Sequence, residues 1–172
     1  MMRGMFHRSF ADGGTASEAR KLIVFAVGAL ACGVDIMQVR EVLNPGRITA
    51  LPGAAPWFLG AAEYRSMLIP VVDMRLRLGQ SPEASPKKKW VVVTVSERCI
   101  ALHVDRVHEV VTVLPTDERN RDPLDDNPSA DWIHRVYGHA GALLFEIDIP
   151  VISAEADAQA RTDAAALPAP PT

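Results

Sequence analysis

Aromatic residues make up only 6% of this 172-residue chain, and cysteines number two. Cys32 and Cys99 both lie inside apolar, strand-like runs, and neither belongs to a C-x-x-C. That argues against a zinc ribbon or a redox motif and for buried free thiols. Charge of one sign is lacking too: 18 Lys and Arg face 21 Asp and Glu, a formal net charge of -3. Such a chain has no global basic field to hold nucleic acid or an anionic membrane, which disfavours a β-barrel nucleic-acid binder. Its one basic run, Lys87-Lys88-Lys89, sits in a polar linker and reads as a solvated face. The longest apolar stretch, "LIVFAVGALACGV", spans 13 residues, too few to cross a bilayer. The opening "MMRGMFHRSFADGG" has no continuous apolar core of the kind a signal peptide carries, so the expected location is the cytoplasm. Helix signals are few. Motifs for catalysis are missing as well: there is no G-x-S-x-G, no P-loop and no G-x-G-x-x-G.

What is present is short and β-rich. "KLIVFAV" (21–27) and "WVVVTVS" (90–96) are near-continuous blocks of β-branched and aromatic residues, suited to strands buried on both faces. Each precedes a short turn and a second strand, "ACGVD" and "CIALHVD", so two hairpins begin the two halves. "DIMQVREVL" (35–43) fits one or two helical turns capped by Asp35, and a second short helix is expected from Asp73 to Gly79. A turn of helix is expected before Gly60, within 53–62. Residues 1–19 and 154–172 read as loose tails around an ordered domain at 20–153, the second tail being rich in Ala and Pro.

The halves repeat. Val34-Asp35 precedes Val39-Arg40-Glu41-Val42, and Val104-Asp105 precedes Val107-His108-Glu109-Val110. Gly60 then precedes "SMLIPVVDM", and Gly138 precedes "ALLFEIDI". The same order over about 50 residues points to a pair of similar small β-barrels, an all-β fold with short helices. Pro70, inside an otherwise strand-forming run, would mark the point where that strand leaves its ladder.

One constellation invites a chemical reading. His103, Asp105 and His108 in "HVDRVHE" could supply three N/O ligands to a metal, as in a small metal-dependent enzyme. No second cluster completes it, and Asp35 and Glu41 hold the repeat-equivalent places of Asp105 and Glu109 where no histidine exists. Arg75 and Arg77 read as solvated charges, with Asp73 and Arg77 spaced as a weak i, i+4 pair.

The segments "LIVFAVGALACGVDIMQVREVL", "ITALPGAAPWFLGAAEYRSMLIPVVDMRLRLG" and "CIALHVDRVHEVV" resemble the CheW family of chemotaxis coupling proteins over about residues 21–152. Gly60, Arg65, Pro70, Val71, Asp73 and Arg75 fall at the family's places. The resemblance implies two packed SH3-like five-stranded β-barrels, no catalysis, no cofactor and no metal. It also implies an adaptor that joins the regulatory domain of a chemotaxis histidine kinase to the cytoplasmic tips of methyl-accepting chemoreceptors, for chemotaxis or surface motility. The kinase-facing surface would map onto Val39, Glu41, Val42 and Gly60. Arg65 would be the coupling arginine, and Val104 and Val107 would line a groove for the receptor tip. Where the family usually has Asn-Leu-Arg-Gly, this chain has Glu63-Tyr64-Arg65-Ser66. That change loses a glycine suited to positive φ and sets Glu63 beside Arg65 as a local neutralising charge. A member so altered could bind receptor alone.

Overall fold

The computed structural model describes residues 18–82 and 86–166. The chain opens with β1 (Arg20–Val27) and β2 (Leu30–Asp35), joined through a turn in which Gly28 has φ +59°. It then crosses to build a second sheet from β3 (Val39–Leu43), β4 (Phe58–Tyr64), β5 (Met67–Asp73), β6 (Lys89–Val95) and β7 (Arg98–Val104). It returns for β8 (Arg106–Val113), β9 (Glu118–Arg119), β10 (Ile133–His139) and β11 (Ala142–Ile147). The strand orders are β8-β1-β2-β11-β10-β9 and β3-β6-β7-β5-β4.

The repeat is therefore real, and it is exchanged. Each hairpin, β1-β2 or β6-β7, sends the strand after it to the other sheet: β3 pairs with β6, and β8 pairs with β1. In both sheets a parallel pair joins two hairpins: β11 of the β10-β11 hairpin with β2, and β5 of the β4-β5 hairpin with β7. In both, a tryptophan carbonyl accepts from the amide that ends that strand: Asp73 N to Trp57 O at 2.7 Å, and Asp148 N to Trp132 O at 2.6 Å.

Three buried clusters follow from this layout. A shared core between the sheets holds Phe25, Val27, Val34, Phe58, Val72, Val91, Val93, Leu102, Trp132, Ile147 and Ile152. A smaller core in the second sheet holds Tyr64, Ile69, Val71, Trp90 and Val92, and its counterpart in the first holds Leu22, Val24, Val111, Tyr137 and Leu144. Neighbours such as Val92 and Val93 thus point to different cores. This is why the strands read as continuous apolar blocks rather than alternating ones. Cys32 lies in the shared core, where burial pushes its thiol up to about 12, so it stays protonated and inert.

Several expectations change. Residues 36–38 form one turn of 3-10 helix, with Asp35 Oδ1 accepting from Met37 N, and 39–43 is strand β3 rather than helix. The stretch at Gly60 is strand β4. Asp73 does cap a short helix, α1 (Met74–Arg77), by accepting from Leu76 N at 3.2 Å, and Gly79 follows at φ +71°. A second short helix, α2, covers Asp122–Asp125. Helix α3 (Ile149–Ala166) occupies much of the segment expected to be a loose tail from 154. Ile149, Ile152 and Ala156 are fully buried against the shared core and Ala160 packs on it, a stripe at helical spacing. The expectations for 1–17 and 167–172 lie outside the described residues.

Pro70 does not leave a ladder. It pairs with Ala61 of β4, and on its other side the ladder to β7 begins only at Val71. The proline stands at the fork where β5 meets its second neighbour, on a side that needs no donor.

Candidate partner-docking edge

β3 is an edge strand, and its bulge decides which side chains share a face. Val39 lies opposite Val93 and Glu41 opposite Val92, so Arg40 is an extra residue. Simple alternation would set Val39 beside Glu41. The bulge instead puts Val39 and Val42 on the face of Val93 and Val91, toward the shared core, and turns Glu41 to the face of Val92 and Tyr64. Val39 packs against the core, whereas Val42 is 38% exposed.

Glu41 meets the tip of the β4-β5 hairpin there. The Tyr64 hydroxyl donates to Glu41 Oε2 at 2.8 Å, and Arg65 Nη2 donates to the same oxygen at 3.0 Å. The Arg65 guanidinium carbon sits 5.5 Å from the centre of the Tyr64 ring. Two donors on one carboxylate, Tyr64 first and Arg65 second, hold the Glu41 carboxyl below its usual range. The tip itself is a two-residue turn with Arg65 at φ +47° and Ser66 at φ +64°. Glu63, the expected neighbour of Arg65, is exposed, and Arg65 pairs with Glu41 instead. Adjacent residues of a strand face opposite ways, so Glu63 cannot follow Tyr64 inward.

Gly60 and Val104 are not surface residues. Gly60 is buried at a register shift of β4, where Thr49 N and O bond to Ala61 O and N at 2.8 and 3.0 Å. With φ +132°, a Cβ there would collide with the Thr49 carbonyl and come within 2.9 Å of Ala50 Cα. Gly60 lets another stretch of backbone cross β4. Val104 is 1% exposed in the shared core, so it cannot line an open groove, whereas Val107 is half-buried at its margin.

The charges judged to be solvated are tied down. Arg75 Nε and the Gly28 amide both donate to Asp105 Oδ2 at 2.7 Å, and Lys88 Nζ lies 3.7 Å from Oδ1. Asp105 thereby joins the first hairpin turn, α1 and the basic linker. Arg77 binds Glu155 at 2.6 Å and Asp131 at 3.0 Å, fastening α1 to α3, not to Asp73. Arg20 bridges Asp35 at 2.6 Å and the buried Glu146 at 2.7 Å.

These contacts dismantle the metal reading. His103 Nδ1 accepts from Trp90 Nε1 at 2.9 Å, Asp105 faces cations, and His108 is exposed on β8. Among the described residues no three His, Cys, Asp or Glu side chains are grouped to hold a metal. Burial and then Lys88 push His103 below its ordinary value. Among the described residues, no helix is long and apolar enough to cross a membrane.

Two interleaved small barrels, each built around a hairpin that sends its next strand to the other sheet, define the fold. The scaffolding protein TtCheW from Thermoanaerobacter tengcongensis shares it, with a TM-score of 0.70 at 23% identity over 77% of this chain and 90% of that one. That likeness shows two packed SH3-like barrels; one sheet has the five strands expected and the other has six, the sixth being the two-residue β9. The CheW-like domain model matches residues 21–156, and the chain belongs to that family. It is 36% identical over 101 residues to a probable chemotaxis protein CheW of Rhizobium etli, a match covering 58% of this chain and 63% of that protein. It is 25% identical over 137 residues to chemotaxis protein CheW of Treponema pallidum, covering 77% and 81%.

Sequence reasoning missed Tyr64 as a partner of Glu41. The signal available was a tyrosine where the family usually carries leucine, beside an arginine and opposite a strand glutamate.

Proposed function

We propose that this chain is a non-catalytic adaptor of a cytoplasmic chemosensory array. It joins the regulatory domain of a chemotaxis-type histidine kinase to the tips of chemoreceptors. The observation that carries this reading is the β3 edge. Val42 stands exposed beside the half-buried Val39 on one face, and Glu41 and Arg65 form an ordered ion pair on the other. An edge strand of this kind accepts a similar barrel, with apolar anchors supplying affinity and the exposed charges supplying register. Val107 and Val110 mark the corresponding edge toward the receptor. Gly60 acts from below by letting the chain cross, and Val104 acts as core. The mechanism is geometric: a receptor's conformational bias reaches the kinase as a coupling free energy through a rigid connector.

The test is reconstitution. Receptor-bearing membranes, the kinase from the same genome and this chain are combined, and kinase autophosphorylation is followed with and without receptor ligand. Ligand control of the kinase should require this chain and should vanish with Val39→Asp. A folded chain that neither binds the kinase nor changes its response would overturn the reading.

A further inference from the structure

Glu41 has two donors of very different standing. Arg65 sits at a hairpin tip with its side chain 63% exposed, whereas Tyr64 is 6% exposed and packed in the second-sheet core with Ile69, Trp90 and Val92. An exposed arginine pair is close to break-even, because ordering a long side chain offsets most of the attraction. A tyrosine ring already fixed by packing presents its hydroxyl without that cost. Both donors converge on Glu41 Oε2.

We infer that Tyr64 is a positioning residue of the docking edge: its hydroxyl anchors Glu41, leaving Arg65 able to turn to a carboxylate on the kinase domain while Glu41 stays in place. The inference rests on the adaptor reading for its partner, but the anchor is a property of the free chain. Where the family's leucine occupies this position, no hydroxyl exists, and Glu41 would depend on Arg65 alone. The change from Leu-Arg to Tyr64-Arg65 therefore divides two tasks that one arginine would otherwise share. Tyr64 orients the strand carboxylate and Arg65 meets the partner.

Four chains decide it: the natural one, Tyr64→Phe, Arg65→Ala and the double variant. Phenylalanine keeps the ring in the core, and the thermal midpoint checks that the fold is intact, with Tyr64→Leu as a second variant. The first readout is the Glu41 carboxyl titration by NMR in the free protein. In Arg65→Ala the Glu41 carboxyl should stay depressed, and only the double variant should return it to the ordinary range. The second readout is affinity for the kinase regulatory domain by calorimetry. Each single change should weaken binding by about 3- to 5-fold and the double change by about 50-fold or more, exceeding the product of the two. A Glu41 carboxyl fully released by Arg65→Ala alone, with the double variant no worse, would overturn the inference. A natural chain that does not bind the kinase domain would remove the adaptor reading, and the NMR titration would still decide whether Tyr64 is the anchor.

Discussion

Two edge strands of this molecule, β3 and β8, are the same device built twice and finished differently. β8 repeats the bulge of β3: Val110 lies opposite Ile23 and Val107 opposite Phe25, so Val107 and Val110 share a face as Val39 and Val42 do. Val110 is 49% exposed and Val42 38%. The glutamates differ. Glu41 accepts from Tyr64 and Arg65, while Glu109 is exposed and has no side-chain partner among the described residues. The cause is in the turns. The β4-β5 tip is Arg65-Ser66, and its counterpart in the other half, the β10-β11 tip, is Ala140-Gly141. A duplicated fold thus supplies two apolar ridges, and Tyr64 with Arg65, where the other half has His139 and Ala140, decides which of them carries an oriented charge pair.

The largest expected effect separates two glycines that looked alike in the repeat but are not equivalent in the fold. Gly60 stands three residues after Trp57 at the register shift of β4, whereas that place in β10, three after Trp132, is Arg135, and Gly138 lies near the hairpin tip. A Cβ at Gly60 would meet backbone first, and one at Gly138 would meet the Arg119 side chain first, its guanidinium carbon 2.8 Å away. Gly60→Ala should cost about 3 kcal/mol or more, from a conformation reserved for glycine plus a backbone collision. Gly138→Ala should cost about 1 kcal/mol or less, since a flexible arginine can move aside. Urea unfolding of both variants measures the difference.

A smaller asymmetry concerns pH. His103 is held neutral to accept from Trp90, and it belongs to the second hairpin only; its counterpart hairpin has no histidine. Because its folded value lies below the unfolded one, the unfolded chain binds the extra proton as pH falls. Stability from this site is complete above about pH 6.5 and declines as pH drops from there toward the folded value. His103→Gln, which keeps an acceptor for Trp90, should flatten the fall in urea midpoint between pH 7.5 and 5.5. An unchanged slope would assign that fall to the carboxylates.

The smallest expected effect is at the turns themselves. Ser66 holds φ +64° and Gly141 φ +77°. Ser66→Gly should stabilise by about 0.5–1 kcal/mol and Gly141→Ser should destabilise by a similar amount, as thermal midpoints would show.

Much of this was legible in the chain and some was not, for identifiable reasons. The hairpins, the Asp73 cap and the paired motifs are local and could be read directly. The exchange of β3 and β8 between sheets is a long-range choice that leaves no local trace. The bulge at Arg40 likewise leaves no local trace: it sets Val39 and Val42, three residues apart, on one face, which is helical spacing, so 35–43 reads as helix where β3 forms. α3 escaped notice because half its buried stripe is alanine, Ala156 and Ala160 beside Ile149 and Ile152, which reads as a compositional tail. Arg75 and Arg77 looked solvated because Asp105, Asp131 and Glu155, their partners, lie far along the chain. In the candidate edge, Glu41 and Arg65 were identifiable by resemblance, whereas the Tyr64 hydroxyl that joins them needed the fold.

The most direct test compares the two edges in one calorimetric titration against the kinase regulatory domain, with the natural chain, Val42→Asp and Val110→Asp. The account predicts that Val42→Asp weakens binding about tenfold or more, as loss of a central apolar anchor does, and that Val110→Asp leaves it within about twofold. Equal losses at both edges, or a loss at Val110 alone, would contradict the claim that the oriented charge pair marks the kinase-facing ridge.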